Sequence, residues 1–174
     1  ACRTMIKDIT SNTHVHFEFT EWTHKLDFNH YTEKELSHFF LCNSSHVADT
    51  VFYLVGKPKE INCNTSGSLE WHPSAALFSG SGITEENVLF DYNANWLSAG
   101  RWSIEISLPD KKLILRPLEE LLIQKKGHLE FEQVSLDNID VKYKPGLYNQ
   151  VKSFLGDKKI LCTIKEQLDN FHFY

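Results

Sequence analysis

Between Lys59 and Leu136 the chain runs through short segments that alternate apolar and polar residues, each closed by turn-forming residues. Period-2 alternation gives each strand one apolar face, and short connections pair successive strands antiparallel. "KEINCNTS" (59–66) and "SAALFSG" (74–80) open the series. In "NVLFDYNANW" (87–96), Val88, Phe90, Tyr92, Ala94 and Trp96 share one side, and in "RWSIEISL" (101–108) Trp102, Ile104 and Ile106 do. "LILRP", "LEELLIQKK" and "HLEFEQVSL" follow, while "GSGITEEN" (80–87) reads as a glycine turn. Six or more strands in succession predict an antiparallel meander in one open sheet.

An earlier strand lies at "HVHFEFTEW" (14–22), with Val15, Phe17 and Phe19 on its buried side. Residues 23–37 read as a loop ending in a short helix, where Thr32 and Glu35 fit a capping box. From Ser45 to Val55, Val47, Val51, Leu54 and Val55 recur at helical spacing, with Ser44 as cap and Gly56 as stop. "LYNQVKSFLG" and a Thr163-capped "IKEQLDNFHF" predict closing helices. The fold class is α+β: a large, open, predominantly antiparallel sheet with helices on one face. If Trp71, Phe78, Phe90, Tyr92, Trp96 and Trp102 gather on the uncovered face, they form a patch too large for a monomer.

The 174 residues fit one domain, 1–174. Eighteen Lys and Arg against 23 Asp and Glu give a net charge of −5, with no basic cluster, so nucleic acid is not an expected partner. No apolar run is long enough to span a membrane. The four cysteines, Cys2, Cys42, Cys63 and Cys162, form no CxxC pair and are each expected as small buried hydrophobes of a cytoplasmic protein. The chain starts at Ala1 inside what reads as a helix, so a piece of a longer protein is expected, with residues 1–12 as the remnant of a linking helix.

No P-loop, GxGxxG, GxSxG or HExxH is present. His46 and Asp49, three apart, are helix neighbours. A histidine in the first turn of a helix is held neutral by the dipole, which suits a general base. The same pair can equally serve only to start and pack a helix. Cys42 and His46 lack a further ligand at a recognised spacing, so no metal site is expected.

Two motifs carry a resemblance over essentially the whole chain: HxxDxxxxLxGxP (His46, Asp49, Leu54, Gly56, Pro58) and KPGxYxQVxxFL (Lys144 to Leu155). With "HFEFTEW", "NANW" and "GRWSIEI" in order, the chain resembles the C-terminal domain of the glucose–fructose oxidoreductase / inositol dehydrogenase / MocA family. That resemblance implies the open-sheet fold also seen in dihydrodipicolinate reductase. It implies a substrate-binding and oligomerisation half of an NAD- or NADP-dependent sugar or nucleotide-sugar dehydrogenase. The parent's Rossmann domain would be absent here, and this chain alone would bind no cofactor and be inactive. Copies would form a homodimer or homotetramer through the sheet. His46 falls on the family's catalytic histidine, and Asp49 on a structural aspartate. Many members place an aspartate four residues before that histidine; here Cys42 stands there, beside Asn43. Asn43, Glu21, Trp22, His24, Trp96 and Arg101 are the substrate-binding candidates. A non-catalytic sugar-binding or scaffold domain is the alternative.

Overall fold

The computed structural model describes residues 5, 6, 9, 11–135, 138–157 and 161–173. Cys2 and most of the expected linking helix over 1–12 lie outside them. The chain divides into two compact units, Ala1–Glu132 and Gln133–Tyr174.

The first unit is built on a mixed, mostly antiparallel sheet. Its strands are β1 (His14–Glu18), β2 (Pro58–Ser66), β3 (Leu77–Thr84), β4 (Leu89–Asn95), β5 (Ser103–Ser107), β6 (Lys111–Leu115), β7 (Leu121–Lys125) and β8 (Glu132–Gln133). They lie in the order β2-β3-β4-β1-β5-β6-β7-β8. The expected meander is therefore interrupted: β4 and β5 are not neighbours, because β1 enters between them. It pairs parallel to β4, with Phe17 opposite Tyr92, and antiparallel to β5, with Phe17 opposite Ile104. The alternation of β1 is that of a strand with one buried face: Val15 and Phe17 are buried, while His14 is exposed.

Helix α1 (Glu33–Ser37) carries the capping box expected from Thr32 and Glu35, each side chain bonding the other's backbone N–H. A π-helical turn, Phe40–Ser44, leads directly into α2 (Ser45–Val55). α2 occupies the predicted residues, but it does not begin at a capped end. Ser44 is itself helical and makes no capping bond, and the Ser45 N–H bonds back to the Phe40 carbonyl. His46 thus follows another helical turn, and the dipole argument for it loses its premise.

α2 packs its apolar stripe on the sheet. Val47, Val51 and Val55 are fully buried, worth about 2 kcal/mol each. Phe52 meets Phe17 edge-on at 6.0 Å and Phe90 at 5.2 Å. Upstream, Phe40 stacks on Phe78 and Phe39 meets Trp96 edge-on. Phe78, Phe90, Tyr92 and Trp96 therefore belong to the helix-covered side, where the helices need an apolar floor. The expected patch of these aromatics on the other face does not form. That face carries polar groups instead: His14 and His16 both reach Asp91, at 2.9 and 2.6 Å, Lys112 reaches Glu105, and Arg116 reaches Glu18.

The "GSG" segment is strand, not turn. β3 continues through Gly80 and Gly82, and the turn is confined to Glu85–Asn87, with Asn87 at φ 61°. The glycines are required by close approach. Tyr92 of β4 lies across Gly80, and Phe90 lies across Gly82, each directly opposite in register. Burial, first, and the Cys63 thiol of β2 push the Tyr92 phenol upward. Cys42, Cys63 and Cys162 are exposed free thiols, contrary to the expected burial. Cys63 sits on β2, the strand that begins the sheet order. His72 is buried, its ring 5.0 Å from Trp96.

In the second unit, α3 (Asn138–Lys142), α4 (Leu147–Leu155) and α5 (Ile164–Asn170) are helical. Gly146, at φ 77°, precedes α4, Gly156 ends it, and Thr163 caps α5 with Glu166 in a capping box. Among the described residues no helix is long and apolar enough to cross a membrane.

Gly82→Ala drives a methyl group into the Glu60 carbonyl and the Phe90 ring. It is expected to destabilise the protein by about 1–3 kcal/mol, read as a lower urea midpoint. The exposed neighbour change Ser81→Ala stays within about 0.5 kcal/mol. Equal midpoints for the two would refute the notch.

Candidate functional site

Three chain segments converge at one end of β1. The strand delivers Glu21 three residues beyond its last paired residue. The π-helical turn brings Asn43 and Ser44, and the loop between β4 and β5 brings Arg101 and Trp102. Glu21 is 4% exposed, a carboxylate almost wholly removed from water. Such a group is costly unless hydrogen-bonded. Ser44 Oγ donates to Glu21 Oε1 at 2.6 Å, Trp102 Nε1 at 2.9 Å and Asn43 Nδ2 at 3.0 Å. Arg101 Nη1 donates to Oε2 at 3.3 Å. Burial pushes the Glu21 carboxyl up, against the lowering pull of Ser44, Trp102, Arg101 and Asn43.

The π turn matters here because consecutive residues, Asn43 and Ser44, reach the same carboxylate oxygen. Wide π turns recur at functional sites. Gly100, just before Arg101, has no side chain because Glu18 and Thr20 crowd the position. Its carbonyl accepts the Trp22 indole N–H at 2.8 Å.

Trp102 links Glu21 to His46. Its indole N–H is fixed by the carboxylate, and its ring meets the imidazole edge-on at 6.5 Å. The His46 ring is exposed and makes no hydrogen bond among the described residues. Asp49 is half-buried one helical turn on. Arg101 lies over Trp102 at 4.7 Å and over Trp22 at 5.1 Å, and Lys25 lies over Trp22 at 4.2 Å. His24, exposed, is 6.4 Å from Trp22.

Of the sequence candidates, Asn43 and Arg101 bond the Glu21 carboxylate, Trp22 lies under Arg101 with His24 beside it, and His46 is one ring from Glu21 through Trp102. Trp96 does not join them. It is 1% exposed, stacks on Trp71, and donates its indole N–H to the Phe19 carbonyl. Ser44 and Trp102 were read only as a cap and a strand residue. No local sequence pattern marks Lys25. Among the described residues, no group of three or more His, Cys, Asp or Glu could hold a metal ion. A cleft of 430 Å³ beside β3 and β4 contains none of these candidates.

The architecture is one used by dehydrogenases. An NAD-binding oxidoreductase from Klebsiella pneumoniae matches with a TM-score of 0.69 at 14% identity, over 97% of this chain and 57% of that one. A UDP-N-acetylglucosamine 3-dehydrogenase from Acidithiobacillus ferrooxidans matches with 0.57 at 14%, over 88% and 46%. A levoglucosan dehydrogenase solved with NADH and levoglucosan matches with 0.56 at 16%, over 78% and 43%. The chain spans about half the length of these structures. No family model and no curated protein matches. The neighbours are oxidoreductases of the type whose C-terminal domain the sequence resembles, and at these identities the likeness establishes the fold.

Glu21→Ala leaves the Trp102 and Asn43 donors and the Arg101 charge without their acceptor. About 3 kcal/mol of stability is expected to be lost. Because the folded carboxyl is raised, its contribution is fully present below the unfolded value of 4.5 and is lost as pH rises through the folded value. Glu21→Gln keeps an acceptor for Ser44, Trp102 and Asn43 and removes this titration. Wild type minus Glu21→Gln stability should therefore fall with rising pH above 4.5 in denaturant titrations; a flat difference would contradict it.

Proposed function

We propose that this chain is the substrate side of an NAD- or NADP-dependent dehydrogenase that oxidises a sugar hydroxyl, with His46 as the base. The observation that carries this is an exposed imidazole set against Trp102, whose orientation a buried carboxylate fixes, on a fold shared with sugar dehydrogenases. The names of two of those neighbours include a nucleotide sugar and levoglucosan.

In this reading the dinucleotide is held outside this chain. Gly80 and Gly82 lie inside β3, and no helix opens after them. The steps assigned to this chain therefore stop at the proton. A sugar hydroxyl donates to a free ring nitrogen of His46, which takes the proton as the carbinol carbon is oxidised. Asn43 spends its amide N–H on Glu21 and keeps its carbonyl oxygen as an acceptor for a neighbouring hydroxyl. Glu21 is a positioning residue: it holds Trp102, and Trp102 bounds the imidazole. In this reading it supplies, from the segment after β1, the carboxylate that Cys42 does not. Asp49 serves the helix. The hydride acceptor belongs to a part of the parent that the neighbours possess and this chain does not cover.

In the whole gene product, assayed with NAD and NADP against sugars and UDP-sugars, His46→Ala should lower kcat by about 100- to 10,000-fold while changing KM little. Unchanged turnover removes His46 from the chemistry. Sugar binding with no turnover of the wild type by either cofactor favours a non-catalytic binding domain instead.

The proposal includes association of copies through the polar sheet face. Light scattering should give a dimer or tetramer mass, and charge reversal at Lys112 and Arg116 should shift it toward monomer. A monomer mass for the wild type rejects this part.

A further inference from the structure

Beside the proposed sugar pocket lies a row of groups that the proton step does not use: Lys25, Trp22 and Arg101, continuing through Trp102 to His46. The Arg101 guanidinium lies over two indole rings, which fixes its plane before any ligand arrives. It spends one N–H on Glu21, its hydrogen-bond acceptor among the described residues, and its side chain is 42% exposed. An arginine has five N–H donors in a fixed fork, so most of this fork is open. The Lys25 ammonium stands over the same Trp22 ring, 4.2 Å from its centre. Trp22 itself is anchored by its indole N–H on the Gly100 carbonyl at 2.8 Å.

Two cations thus share one aromatic ring, and Arg101 bonds the buried carboxylate of Glu21. In a chain of net charge −5 this is a local positive ledge. With Lys25 and Arg101 both set over the indole, the Trp22 face is no bare platform for a neutral sugar ring. A rigid guanidinium fork, with an ammonium over the same ring, suits the oxygens of a carboxylate or phosphate.

We propose that Lys25 and Arg101, held on Trp22, form an anion subsite that takes the carboxylate or phosphate group of an acidic sugar whose hydroxyl meets His46. This rests on the sugar-pocket reading above. The subsite lies two ring contacts from the imidazole, on the exposed side of the cluster.

The test compares matched neutral and acidic ligands binding to this chain, followed by tryptophan fluorescence at low salt. The pairs are glucose with glucuronate, galactose with galacturonate, and glucose with glucose 1-phosphate, with inorganic phosphate alone as a further probe. The acidic member should bind about tenfold more tightly, the scale of one charge-assisted hydrogen bond, and added salt should erode the preference. Lys25→Met, at an exposed position, should remove most of the preference without weakening the neutral sugar, and Lys25→Arg should restore it. Preference for the uronates assigns the subsite to a carboxylate; preference for the sugar phosphate assigns it to a phosphoryl group. A preference that survives Lys25→Met, or inorganic phosphate binding as tightly as the sugar phosphate, overturns the proposal. Neutral and acidic sugars binding alike overturns the subsite and leaves the sugar pocket standing. Binding of no sugar of either kind overturns both.

Discussion

Phe17 stands at the middle of the sheet, between Tyr92 and Ile104, with Phe52 of α2 against its ring. That contact ties α2 to the centre of the sheet. It joins the four strands on one side of β1 to the helix above and the hairpin pairs on the other side. It also fixes where β1 ends. A strand anchored so firmly at Val15 and Phe17 must deliver Glu21 at the mouth of the gap between β4 and β5. There the Arg101–Trp102 loop and the π turn already wait. A one-residue slip of β1 would carry Val15 and Phe17 to the polar face and His16 into the core, so the register has no near alternative.

The Glu21 cluster is polar chemistry placed where an apolar contact would have been simpler. Three donors meet one carboxylate oxygen, and a fourth, charged, meets the other. Networks of this kind restrict geometry more reliably than they add stability. The residues around Glu21 hold one another in place: Trp102 cannot turn without losing its acceptor, and Arg101 cannot swing off the two indoles without leaving the carboxylate. The site is thereby organised before a ligand arrives.

Much of the local structure was legible in the sequence. Alternation placed β1, β2, β4 and β5, helical spacing placed α2, one capping box was read from Thr32 and Glu35, and Thr163 was read as a cap. What escaped was set by partners far along the chain. Gly80 and Gly82 look like turn residues until Tyr92 and Phe90 are seen lying across them. The insertion of β1 between β4 and β5 leaves no local mark, since an alternating strand pairs equally well at a centre or an end. His46 looked like a first-turn residue because nothing in "FLCNSS" announces a π turn. Phe78, Phe90 and Tyr92 are strand residues as expected, while Trp71, Trp96 and Trp102 lie just outside strands, and the side they cover depended on where Phe39, Phe40 and Phe52 would lie. At the candidate site, Glu21, Trp22, Asn43 and Arg101 could be picked out singly. That they share a carboxylate, and that Trp102 joins them to His46, is a matter of tertiary placement.

The central position of β1 also sets the order of events as the chain folds. β2, β3 and β4 can zip up with near neighbours, as can β5, β6 and β7. β1 has no such option, because its contact with Asp91 already spans 75 residues. Contacts of such range are slow to form. As the polypeptide emerges, β1 is the first of these strands made, yet its β4 partner is complete only at Asn93 and its β5 partner only at Ser107. A strand with this history is the segment most in need of shielding during synthesis, and the one whose late docking turns two sub-sheets into a single structure.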